Sequence, residues 1–236
     1  VATGAGGSPR HSGRARPRRQ AERFKACPLT RGSPSEIANE NLYATTPDRY
    51  PFAKQDDGPL QMSSFTTTIP RLETERLILR EYRDSDFDAF AAFYETPRSR
   101  FIGGPLPREM AWRGLATHLG HWALRGFGFW AIEEKESGTF GGHVGLWHPE
   151  GWPEPEVGWA LMGHAEGRGL AREAAFAARH YAYQTLHWPT AISMIDPENI
   201  RSLRLAARMG CRHESDFPHV RLGMMQVWRH PAPQDL

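Results

Sequence analysis

Cysteine is nearly missing from this chain: Cys27 and Cys211 are the two in 236 residues. One lies in a polar N-terminal stretch and the other in the apolar-patterned remainder, so no disulfide framework can be drawn. Such usage suits a reducing, cytoplasmic compartment. No apolar run reaches the roughly 20 residues that a membrane span needs, and no secretory signal pattern stands in the sequence. A strong excess of one charge is also lacking. The formal net charge of +2 is too small to argue for a nucleic-acid partner by itself. Metal-ligand clusters are missing too. His118 and His121 are three apart on an expected helix, and His143 and His148 flank an expected strand, but neither pair has convergent cysteines or carboxylates at ligand spacing. No metal is expected.

The charge is unevenly placed. Residues 1–61 hold 10 basic and 6 acidic residues, so 62–236 carry a net −2. The first 61 residues are poor in apolar side chains and rich in Gly, Pro, Ser and Arg, without a sustained period. They cannot bury enough apolar surface to offset their ordering entropy, and disorder is expected. The cluster from Arg10 to Lys25 reads as a nucleic-acid or anionic-surface tail, as an organelle transit segment, or as no part of the working protein. The last reading is preferred, because aromatic interleaving and an amphipathic helix are missing. Met62 is the first methionine, followed by an ordered-looking strand. The expectation is a disordered extension over 1–61 and a folded domain over 62–236.

Residues 62–236 alternate element types. Arg76–Arg83 branches and alternates like a strand. Asp84 is a candidate N-cap for a helix with Phe87, Phe90, Ala91 and Tyr94 on one face. A second helix is expected from Pro107 to Gly126, then a hairpin of Phe127–Glu133 and Phe140–Trp147 around Ser137-Gly138. Glu156–Leu161 is a fourth strand and Arg172–Arg179 lies in an alanine-rich helix. Thr190–Ile195 is a fifth strand. Asp196-Pro197 offers an N-cap and a first helical proline for a helix ending at Gly210. Two closing strands follow, Cys211–Val220 and Leu222–Arg229. The order is β-α-α-β-β-β-α-β-α-β-β, one α/β domain.

Between the fourth strand and its helix stands Glu166-Gly-Arg-Gly-Leu-Ala171. Glycines at 167 and 169 allow a tight turn with no side chain against a ligand. A helix beginning there leaves backbone N–H groups unpaired at the positive end of its dipole, which suits a phosphate or pyrophosphate. A glycine pair serving the turn alone is the plain alternative.

Four segments in order carry a resemblance: Leu72–Arg80, Glu156–Leu161, Glu166–Ala171 and Asp196–Gly210. Together they resemble the GCN5-related N-acetyltransferase (GNAT) superfamily, in particular its RimJ/RimL-like, ribosomal-protein-alanine acetyltransferase branch, over about residues 70–230. The resemblance implies an α/β fold with a central mixed, mostly antiparallel sheet of about seven strands. That sheet is splayed between the fourth and fifth strands and flanked by four helices. It implies acetyl-CoA as co-substrate and a primary amine, on a protein N-terminus or a small molecule, as acceptor. Pantetheine would insert along Trp159, Ala160 and Leu161, with an N–H near Leu161 polarising the thioester. The loop of Glu166, Gly167, Arg168, Gly169, Leu170 and Ala171 would hold the pyrophosphate, with Arg168 adding positive charge. Asn199 and Ser202 would bond pantetheine or order the gap between the strands.

Two departures from the family pattern stand out. Glu166 replaces the usual Gln or Arg, and Ala206 occupies the position where many relatives carry a tyrosine acid. The amine must be neutral to attack, so a base is required. Glu156 is the first candidate, with acceptor binding as its alternative role, and His143 is the second. Trp147, Trp152, Trp159 and Trp228 read as core aromatics or as the lining of an acceptor pocket, and Trp152 is the foremost pocket candidate because it lies on a loop. A CoA-binding sensor with weak catalysis is the alternative function. Neither a membrane nor a nucleic-acid partner is expected, and the chain would be a monomer or homodimer.

Overall fold

The computed structural model describes residues 66–236. The expected extension over 1–61, its arginine cluster and Cys27 lie outside them. Eight strands form one sheet in the spatial order β1-β2-β3-β4-β5-β6-β8-β7. They are β1 (Leu72–Glu73), β2 (Leu77–Arg80), β3 (Phe129–Glu134), β4 (Phe140–Trp147), β5 (Glu156–Leu161), β6 (Ile192–Ile195), β7 (Arg212–His219) and β8 (Gly223–Arg229). Four helices accompany them: α1 (Phe87–Tyr94), α2 (Arg108–Arg125), α3 (Leu170–Gln184) and α4 (Ile200–Arg208). The sheet has one strand more than the expected seven. The addition is the two-residue β1, paired with β2 at the edge.

Strand alternation sends successive side chains to opposite faces. On one face Leu77, Leu79, Trp130, Ile132, Val144, Leu146 and Val157 are buried with Ala174, Ala178 and Ala182 of α3. Those alanines repeat every fourth residue, and their small side chains let the helix lie close to the sheet. On the other face Phe129, Ala131 and Ala160 pack with Phe90, Phe93 and Tyr94 of α1 and Ala111 and Leu115 of α2. A third cluster joins Ile192, Met194, Met225 and Val227, with Trp152, Phe217 and Leu222 against it.

Two helix starts differ from the expectation. Asp84 opens a 3-10 turn rather than capping α1. The working carboxylate is Asp86, which accepts the Arg83 N–H at 2.8 Å and both terminal nitrogens of the buried Arg80 at 2.7 and 2.9 Å. Asp196 accepts the Glu198 N–H at 2.8 Å in a local turn, and the N-cap of α4 is Asn199, whose Oδ1 accepts the Ser202 N–H at 3.2 Å. Pro197 therefore lies before the helix. Asn199→Ala is expected to cost about 1 kcal/mol, read as a lowered urea midpoint.

Every ladder in the sheet is antiparallel except one. β5 and β6 run parallel and share a single register pair, Glu156↔Ile192, with the Ile192 N–H donating to the Pro155 carbonyl at 3.0 Å. Beyond it they diverge, and the gap opens at Glu156.

Candidate active site

Just beyond the Glu156–Ile192 backbone pair, side chains tie the two strands together. Ser193 Oγ donates to the Val157 carbonyl at 2.6 Å and lies 3.0 Å from His230 Nε2. Arg179 Nη1 reaches the Met209 carbonyl at 2.8 Å and His230 Nδ1 at 3.4 Å. Arginine only donates, so His230 Nδ1 accepts and Nε2 carries the hydrogen that meets Ser193. Burial, with Arg179 beside it, pushes His230 down to about 3, keeping it neutral. The chain Arg179, His230, Ser193 and Val157 is buried throughout and fixes how far the strands part.

Glu156 stands at the apex. Its Oε1 accepts the Met194 N–H from across the gap at 3.2 Å, and Oε2 accepts the indole N–H of Trp152. Both donors favour the carboxylate, but burial outweighs them and pushes Glu156 up to about 7. Register places Glu156, Gly158 and Ala160 opposite Trp147, Gly145 and His143, so the carboxyl and the His143 ring share the face covered by α1 and α2. His143 is buried among Phe90, Tyr94, His118 and Phe129, its Nδ1 has no partner among the described residues, and burial pushes it down to about 4. His118 accompanies it, 3.0 Å from the Tyr82 hydroxyl, and is also depressed by burial. Trp147 packs on this cluster, Trp159 and Trp228 on the α3 face, and Trp152 on the third cluster.

Along β5 the backbone alternates between two edges. The Met162 N–H bonds the Gly141 carbonyl on the β4 side at 2.9 Å, whereas the Val157 carbonyl faces β6. Trp159 and Leu161 therefore turn their N–H and C=O groups into the gap that β6 leaves. Across it the Trp159 indole N–H reaches Ser202 Oγ at 3.3 Å, which links β5 to α4.

After Leu161 a 3-10 turn, Gly163–Ala165, leads into the glycine loop and α3. Gly167 and Gly169 have φ of +75° and +82°, values that glycine adopts without penalty. Among the described residues no N–H from Gly167 to Ala171 donates to a backbone carbonyl. They form an open row at the N-terminus of α3. Arg168 does not offer its charge to this row. Its guanidinium pairs with the buried Glu134 at 2.6 Å, and its carbonyl is held by Arg76 at 2.9 Å. Glu166 accepts Arg98 at 2.5 Å on Oε1 and Arg201 on Oε2.

A family model of the acetyltransferase (GNAT) domain matches residues 76–212, more than half of the chain. The chain belongs to the GNAT acetyltransferases. The chain spans most or all of the length of these relatives, which in turn cover 62% to 72% of it. The structure of an acetyltransferase from Agrobacterium tumefaciens str. C58 is 36% identical, with a TM-score of 0.65 over 72% of this chain and 99% of that one. YnaD of Bacillus subtilis (strain 168), an uncharacterized N-acetyltransferase, is 25% identical over 148 residues, 62% of this chain and 85% of its own length. The ribosomal-protein-S5-alanine acetyltransferase of Vibrio fischeri shares the fold at 16% identity and a TM-score of 0.54, over 71% of this chain and all of that one.

Within this GNAT domain Glu156, Trp159, Leu161 and the loop from Glu166 to Ala171 border one gap. Asn199 and Ser202 sit across that gap on α4, Asn199 with its side chain engaged as the N-cap. Ala160 points to the α1 and α2 face rather than into the gap, and Ala206 is in the core. The sequence reading missed the Met194 N–H, the Ser193–His230–Arg179 chain and the partners of Glu166 and Arg168. The pairing of Glu166 had one sequence signal, an acid where a neutral or basic residue was expected.

Proposed function

We propose that this GNAT acetyltransferase transfers an acetyl group from acetyl-CoA to a primary amine within a ternary complex, as an enzyme of the RimJ/RimL-like branch. The observation that carries the reading is the β5–β6 gap, with backbone groups of Trp159 and Leu161 unpaired among the described residues on one side, the N–H row of Gly167–Ala171 at its end and a raised carboxyl at its apex. Pantetheine would lie along β5 as an added strand. The pyrophosphate would take the N–H row at the start of α3, and the Leu161 N–H would donate to the developing thioester oxyanion. Ser202 and Trp159 would order the cofactor side of the gap.

Glu156 would accept a proton from the acceptor ammonium, whose α-amino pKa is about 8. A base with a pKa near 7 is well matched to that proton. The neutral amine attacks the thioester carbonyl, the C–N bond forms and the C–S bond breaks. CoA leaves as a thiol whose pKa is near that of cysteine, about 8.5, so the absence of a tyrosine at Ala206 is tolerable. One proton from the amine reaches solvent through Glu156, and the other ends on the departing sulfur.

The test is thiol release from acetyl-CoA across a panel of N-terminal peptides and small amines, with the acetylated product weighed by mass spectrometry. Release that requires both acetyl-CoA and one class of amine is expected. Tight CoA binding without transfer to any amine would instead favour the non-catalytic sensor.

A further inference from the structure

Glu166 is the one acidic side chain in the glycine loop, and it lies beside the N–H row that would seat the pyrophosphate. An uncompensated carboxylate there would repel the cofactor. Its charge is met from two other elements: Arg98, on the 3-10 segment Pro97–Ile102 between α1 and α2, takes Oε1 at 2.5 Å, and Arg201, in the first turn of α4, takes Oε2. Arg98 also lies on the turn leading into the loop, because a Cβ at Gly163 would stand 3.5 Å from its Cζ. Two guanidiniums from two other elements thus converge on one carboxylate of the loop, one on each oxygen.

We propose that Glu166 stands in for phosphate: it holds Arg98 and Arg201 at the lip of the loop and yields them to the phosphates of the incoming CoA. The inference rests on acetyl-CoA being the donor. Contrast with the neighbouring pairs supports it. Arg168 is bound to Glu134, whose side chain is 8% exposed. Arg76 is bound to Glu173, which also accepts the Thr74 hydroxyl and the Arg76 N–H. Those carboxylates are built into the fold. Glu166 accepts only the two arginines among the described residues, its side chain is 32% exposed, and Arg98 and Arg201 are 41% and 78% exposed. Exposed pairs of this kind are weak. A diphosphate, with more charge and more acceptor oxygens, outcompetes one carboxylate for two guanidiniums. The carboxylate thereby keeps the arginines poised while lowering the affinity of the empty lip for anions.

The test is calorimetric titration of the full chain with CoA and with pantetheine, which lacks the phosphates. Wild type is compared with Glu166→Gln, Arg98→Gln and Arg201→Gln, each checked for an unchanged melt. Removing the competing charge is expected to tighten CoA binding by about tenfold at low ionic strength, and the gain shrinks at high salt. Either arginine variant should weaken CoA binding by about threefold to tenfold. The affinity ratio of CoA to pantetheine should rise in Glu166→Gln and fall in both arginine variants. If Glu166→Gln weakens CoA as the arginine variants do, the carboxylate is a scaffold and the proposal is overturned. An equal change for CoA and pantetheine overturns it as well. A wild type that binds pantetheine or CoA nowhere would remove the donor reading itself, a result separate from either.

Discussion

Glu156→Gln is expected to lower kcat/KM for amine acetylation by about 10²–10⁴-fold while leaving the fold intact. In the wild type the base must be ionised, so kcat/KM should rise with pH through an inflection near the raised value of about 7. The variant should lose that inflection, its remaining activity following the free amine at higher pH. Stability supplies an independent readout. Burial lifts the carboxyl from 4.5 to about 7, so the folded state holds the proton more tightly than the unfolded chain. Native stability therefore falls as pH rises from about 4.5 through 7, by about 3 kcal/mol at most. Glutamine has no such slope. Above pH 7 it removes a desolvated charge but presents one oxygen to two donors, Trp152 Nε1–H and the Met194 N–H, and an orphaned buried N–H costs about 1–3 kcal/mol. The two effects nearly cancel, so lost activity will not be lost folding. Urea midpoints at pH 5.5 and 8.5 check this: a wild type without the decline has no buried ionising carboxyl at 156. Unchanged kinetics would take Glu156 out of the mechanism and leave His143, on the same face, as the next group to test.

What could be read from the sequence was chemistry confined to a few consecutive residues. The glycine loop was legible because Gly167 and Gly169 owe their conformation to themselves, and a helix start leaves its N–H groups open whatever surrounds it. β5 was legible from its composition and its place before that loop. The Asp196 reading failed for a local reason: Asp and Asn cap equally well, and choosing between them depends on whether Pro197 is the first helical residue or part of the preceding turn. β1 was not legible, since two residues acquire strand character only by pairing with β2. The electrostatics were hidden more deeply. The charge of Arg168 points at the pyrophosphate in the sequence and at Glu134 in the fold, because β3 passes beneath the loop with a buried carboxylate. The raised state of Glu156 depends on desolvation by residues far along the chain, which no local pattern encodes.

Gly142→Ala is expected to destabilise the domain by more than about 4 kcal/mol, the range reserved for forced backbone movement. Gly142 lies on β4 opposite Leu161 with φ of +132°. A Cβ there would stand 2.2 Å from the Ala160 carbonyl oxygen and 2.8 Å from Leu161 Cα. Both are backbone atoms of β5, so no rotamer change relieves the overlap and the strands must separate. They separate where the Met162 N–H bonds Gly141, at the residues whose other edge would receive the cofactor. Gly138→Ala is the comparison. Gly138 also has a positive φ, +66°, but a Cβ there meets nothing within 4 Å, so the cost should be backbone strain alone, about 1–2 kcal/mol. Urea denaturation of the two variants separates strain from collision. If Gly142→Ala falls no further than Gly138→Ala, the close approach of β4 and β5 is not a constraint on the chain. A deficit of several kcal/mol identifies it as the contact that sets the position of the β5 edge.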